Sequence, residues 1–142
     1  MKPKLLLRLV GCVLLMAFTA SAQNELPPRS EVRIIREVRH ELLMLPYFGV
    51  FDYIAYKVDG GRVTLLGQVL RPSLKSDAEN VVKHIEGVER VDNQLEILPP
   101  SPQDDQLRMS LFRTIYKYPS LERYELGVQK PIRIIVRNGT SI

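Results

Sequence analysis

Few groups in these 142 residues could do chemistry. The two histidines, His40 and His84, fall at polar positions of two different predicted helices, with no third ligand at a metal-binding spacing. Carboxylates are scattered singly along helix faces, and Ser30, Ser73 and Ser76 sit where helices begin, which suits capping better than nucleophilic attack. There is no G-x-S-x-G. Asp59-Gly60-Gly61 runs into a strand, where a phosphate-cradling loop would need a helix. The expectation is a protein that is not an enzyme, with no catalytic residue, no metal site and no cofactor.

What remains is a charged surface. Arg108, Arg113, Lys117, Arg123, Lys130, Arg133 and Arg137, against four acidic residues, give residues 104–142 a net charge of +3. Residues 23–103 carry ten basic and twelve acidic residues, a net −2. Together with Phe112, Tyr116, Tyr118 and Tyr124, the seven cations are candidate contacts for anionic phospholipid, with cations near phosphate and rings at the interface. Arg29, Arg33, Arg36 and His40 form a second stripe on the first helix, interrupted by Glu37 and Glu41, with Glu37 an i,i+4 partner for Arg33.

The N-terminus is read as an export signal. Lys2, Lys4 and Arg8 precede the apolar run Leu9 to Phe18, and Ala20-Ser21-Ala22 fits a cleavage site after Ala22. Leu9-Val10-Gly11-Cys12 also fits a lipoprotein signal acylated at Cys12. The apolar run is short of the ~20 residues a membrane-spanning helix needs. Without residues 1–22 the only cysteine is gone and the net charge falls from +4 to +1, so a nucleic-acid partner is not indicated and no disulfide framework is available.

After a lead segment, 23–29, the apolar positions Ile35, Val38, Leu42 and Leu45 predict a helix capped by Ser30 and stopped by Pro46 and Gly49. Tyr47, Phe48, Val50 and Phe51 form an aromatic segment ahead of the first strand. Ile54, Tyr56 and Val58 alternate there, and in a second strand Val63, Leu65, Gly67 and Val69 share one face. Asp59-Gly60-Gly61 is a tight hairpin turn. A second helix, Ser73 to Glu86, buries Leu74, Ala78, Val81 and Ile85 and ends at a left-handed Gly87. Val91, Asn93, Leu95 and Ile97 face inward from a third strand.

Pro99-Pro100-Ser101-Pro102 begins a stiff linker, 99–103. The pattern then restarts: a helix capped by Asp104 or Asp105, with Leu107, Leu111 and Ile115 in a stripe, then a strand from Ile132 to Val136 and a turn at Asn138-Gly139. Half a unit cannot cover its own apolar face. Three outcomes are open: Ile132 to Val136 pairs with an edge of the first sheet, the segment is poorly ordered, or the sequence is an incomplete gene product.

The turn and strand DGGRVTLLGQV (59–69), the helix after it and the closing GVERVDNQLEI (87–97) resemble the BON domain, the small αββαβ module of bacterial envelope proteins. The matching structural positions are Asp59, Gly60, Gly61, Gly67, Gly87 and Asn93, with one extra turn residue and Leu66 in place of a small polar residue. The resemblance implies an α+β fold with two helices on one face of a three-stranded mixed sheet over residues 30–98, followed at 104–142 by a truncated second copy. It also implies a periplasmic protein that binds phospholipid and supports envelope integrity or the osmotic-stress response, or else docks on an envelope protein partner without touching lipid. The oligomeric state is left open.

Overall fold

A computed structural model describes residues 29–124 and 131–141. The signal and lead readings over 1–28, as well as Lys130, lie outside these residues. The chain runs α1 (Arg29–Leu43), β1 (Tyr53–Asp59), β2 (Arg62–Val69), α2 (Pro72–Lys83), β3 (Arg90–Ile97), α3 (Pro102–Tyr116), a 3-10 turn (Glu122–Tyr124), β4 (Val136–Arg137) and β5 (Thr140–Ser141). β1 and β2 are antiparallel, β2 and β3 parallel, in the order β1-β2-β3. This is the αββαβ mixed sheet that the alternation and the turn glycines predict.

One core joins Ile34, Val38 and Leu42 of α1 and Leu74, Ala78 and Val82 of α2 to Val63, Leu65, Val69 and Leu95 of the sheet. Both helices therefore cover the same sheet face. Two core positions differ from expectation: Ile34 takes the place assigned to Ile35, and Val82 that of Val81. Each belongs to an adjacent apolar pair only about 100° apart on the helix, so sequence periodicity alone does not choose between them. Ile97 is exposed rather than inward, because Leu98 is buried in the next position and its N–H donates to Val69 O at 2.8 Å. α2 ends at Lys83, earlier than Glu86, with His84 as its C-cap, and Gly87 (φ 90°) follows in the next turn.

A second core lies beside the first. Tyr116, Ile134 and Val136 gather Leu107, Leu111, Phe112 and Tyr124 around Val50 and Phe51 of the α1–β1 loop. The strand expected over Ile132 to Val136 is shorter. β4 pairs with β5 (Val136↔Ser141, Arg137↔Thr140) and does not join the three-stranded sheet. Just ahead of β4, a backbone bond from Ile134 N to Val50 O, 2.9 Å, ties the segment to the first unit, and Ile134 and Val136 pack with α3 and not along a sheet edge. α3 is capped by Ser101, whose Oγ accepts from Asp104 N at 3.2 Å, so neither Asp104 nor Asp105 is the cap and the linker is shorter than 99–103.

Tyr116 Oη donates to Ile132 O at 2.7 Å, and burial raises its pKa above the usual 10. The folded state thus holds this proton more tightly than the unfolded chain. The stability involved is fully present below pH ~10 and is lost as pH rises through the folded pKa. Tyr116→Phe is expected to cost about 1 kcal/mol at neutral pH by leaving Ile132 O without this donor. It should also flatten the alkaline decline in urea midpoints above pH ~10; a decline of unchanged slope would assign it to other groups.

Candidate functional site

His40 is exposed on α1, and His84, the C-cap of α2, donates from Nδ1 to Asn80 O at 2.6 Å. Among the described residues no three His, Cys, Asp or Glu side chains are grouped to hold a metal ion.

The basic C-terminal residues do not form one surface. Arg108 is only 2% exposed, its Nη1 donating to Asp105 Oδ1 at 2.6 Å and its Nη2 to Val136 O at 2.7 Å, so it is removed from the candidate lipid contacts. The cause is its helical position, which aims it at the backbone of the 136–141 hairpin. Asp104, also buried, accepts from Asn138 N and Gly139 N at 3.0 and 2.8 Å and holds the hairpin turn against the start of α3. Arg133 donates to Gly49 O at 2.6 Å and lies 4.3 Å over the Phe48 ring; burial lowers its pKa. Arg137 pairs with Glu96 of β3. Arg113 and Lys117 are exposed on α3, and Arg123, also exposed, stacks on Tyr124 at 4.9 Å. Of the four aromatics expected at an interface, Phe112, Tyr116 and Tyr124 lie in the second core, and Tyr118 is exposed.

The family-type positions are structural. Gly60 (φ 59°) forms the turn in which Asp59 pairs with Arg62. A Cβ on Gly61 would meet the Glu89 side chain at 2.8 Å, and Gly61 O accepts from Glu89 N. Asn93 Nδ2 donates to Lys75 O and Glu79 Oε2, while its Oδ1 accepts from Leu95 N, tying β3 to α2.

The two flanks of α1 differ in charge. On one, Glu37, Glu41, His84 and Glu86 line an open groove, and Arg33 bridges Glu37 and Glu86 at 3.1 and 3.3 Å. On the other, a groove of about 340 Å³ runs between α1 and the free edge of β1. It is lined by Leu42, Leu43, Phe48 and Ile54 together with Tyr53 and Tyr56, and its two charged lining residues are Arg39 and Arg133. Apolar side chains beside tyrosines and the exposed Arg39 suit a ligand with an anionic head and an apolar body.

Next to this groove the loop is rigidly held. Asp52 is buried and accepts from Gly49 N at 2.9 Å and Leu70 N at 2.8 Å. Tyr47 projects outward with Arg71 4.7 Å over its ring. None of Arg39, Arg71 and Tyr47 was singled out for binding from the sequence. The signal that could have marked them is the tyrosine after Met44-Leu45-Pro46, an aromatic outside any periodic stripe.

A small α+β module of two helices on one face of a three-stranded mixed sheet, with open grooves on the flanks of α1, is therefore the class of fold. Residues 30–99 match the BON domain family, and this stretch of the chain is a BON domain. No curated relative matches the chain.

Proposed function

We propose that this is an exported, non-enzymatic envelope protein whose BON domain makes peripheral contact with anionic phospholipid and supports envelope integrity under stress. In this reading residues 1–22 are a signal peptide removed after Ala22, the protein acts in the periplasm, and α3 with the 136–141 hairpin begins a second unit of the same kind. The observation that carries the lipid reading is the groove in which the exposed Arg39 stands beside apolar and tyrosine side chains, while the other lining cation, Arg133, is held by Gly49 O and the Phe48 ring. The contact is assigned to Arg39 on this flank of α1 in place of the C-terminal cations, three of which, Arg108, Arg133 and Arg137, are held by other groups of the protein. No described helix is long and apolar enough to cross a membrane.

The protein without residues 1–22 should float with phosphatidylglycerol vesicles and not with phosphatidylcholine vesicles, and high salt should weaken the association. Each basic residue near an anionic surface contributes about 1 kcal/mol, so reversing one charge in Arg39→Glu should weaken binding by about tenfold or more. Equal flotation with both lipids, or an Arg39→Glu variant that binds as well as the parent, would sink the groove assignment. No flotation at all would direct the search to a protein partner.

A further inference from the structure

We infer that the loop from Met44 to Tyr47 is a preformed wedge that enters the headgroup region of an anionic bilayer, with Arg39 and Arg71 beside it on lipid phosphate. This rests on the proposed lipid contact and deepens it by naming the part of the surface that penetrates. Met44 and Tyr47 are 69% and 71% exposed, the two most exposed large apolar side chains among the described residues. Their neighbours Leu45 and Phe48 pack on the core instead. The loop thus places one pair of side chains inward as an anchor and the other pair into solvent.

Tyr47 has φ 65°, a left-handed conformation that a bulky L residue adopts only where its surroundings enforce it. Phe48 N donates to Leu45 O at 3.3 Å, Asp52 holds Gly49 N, and Arg133 holds Gly49 O, so the turn is fixed on both sides of the ring. A fixed, exposed aromatic in a strained turn loses little further entropy on binding. Its environment is cationic: Arg71 lies over the ring, and Arg39 reaches the adjoining groove lined by Leu43 and Phe48. Neither arginine makes an ion pair among the described residues. The carboxylate that follows in the α1–β1 loop, Asp52, is buried and faces two backbone N–H groups and not the surface. A tyrosine beside a thioether side chain, flanked by arginines, is the composition of a residue group that rests at a membrane–water interface.

The chain has no tryptophan, so a single one reports only its own site. Tyr47→Trp and, on the α3 side, Tyr118→Trp are compared in vesicles of phosphatidylglycerol carrying brominated acyl chains. The expected result is a blue shift and quenching for Tyr47→Trp and neither for Tyr118→Trp. Tyr47→Asn separates binding from folding, because asparagine tolerates the left-handed conformation. It should leave the melting temperature unchanged or higher while weakening flotation by about tenfold or more, as loss of an interfacial ring predicts. Undiminished flotation of Tyr47→Asn, or quenching at position 118 and not at 47, overturns the wedge and leaves a lipid contact elsewhere. Failure of the parent protein to float with any anionic vesicle overturns the wedge and the lipid reading together.

Discussion

Gly67→Ala is expected to destabilise the BON domain severely, although it adds only one methyl group. Gly67 has φ 126°, a region essentially closed to residues with a side chain, and lies opposite Ile54 in the β1–β2 ladder. A Cβ there would sit 2.1 Å from Tyr53 O and 2.9 Å from Tyr53 C. Both are backbone atoms, so no side-chain rotation relieves the overlap. Backbone strain of about 1–3 kcal/mol and overpacking of about 1–3 kcal/mol together suggest a loss of about 2–6 kcal/mol, against a typical total of about 5–15. Gly60→Ala is the matched control. Gly60 is also left-handed, at φ 59°, but its Cβ would have nothing within 4 Å, so only the conformational cost of about 1–2 kcal/mol applies. Urea unfolding of both variants separates the two effects. Equal losses would show that the contact with Tyr53 is not what makes position 67 a glycine.

Gly67 also marks the limit of what the sequence discloses. Its place on the inward face of β2 follows from the alternation Val63, Leu65, Gly67, Val69, and the resemblance singles it out. The reason for it, the approach of the Tyr53 carbonyl, lies across a strand pair and has no local signature. The same division runs through the fold. Strand alternation, the Gly60-Gly61 turn and the helical stripes are local and periodic, so the αββαβ order and the sheet are legible. Adjacent pairs such as Ile34-Ile35 and Val81-Val82 are not, because the tertiary partner selects the member that points inward.

The candidate site was less legible for a related reason. Net charge counts cations without locating them. Arg108, Arg133 and Arg137 look alike in sequence to Arg113 and Lys117. Whether a cation meets solvent or a carbonyl is decided by contacts 28, 84 and 41 residues away, to Val136, Gly49 and Glu96. Conversely, Arg39 and Arg71 belong to a part of the chain with net negative charge. Their exposure on one flank, with the acidic groove on the other, appears only once α1 is docked on the sheet.

Arg108→Ala should be the most damaging single change in the C-terminal segment, and it should act there before the BON domain. The side chain is buried, so its removal takes away the packing of its methylene stem as well as the donor to Val136 O. A buried carbonyl left unpaired costs about 1–3 kcal/mol, and the cavity adds about 2 kcal/mol or more, for a total of about 3–5. Asp105 does not add to this, since its side chain is 65% exposed and water can replace the guanidinium. Arg108→Met tests the division of these effects. It keeps most of the stem volume and removes a buried charge, one nitrogen of which, Nε, has no hydrogen-bond partner among the described residues, so only part of the loss should remain, about 1–2 kcal/mol. The readout is amide exchange at Asn138 and Gly139, which donate to Asp104, and at Ile134, which donates to Val50 O. These amides should exchange faster in Arg108→Ala than in Arg108→Met, while those of the β1–β2 ladder keep their protection. Uniform loss of protection across both groups would show instead that the two cores unfold as one unit, with Val50 and Phe51, which pack into the second core from the α1–β1 loop, transmitting the damage to the sheet.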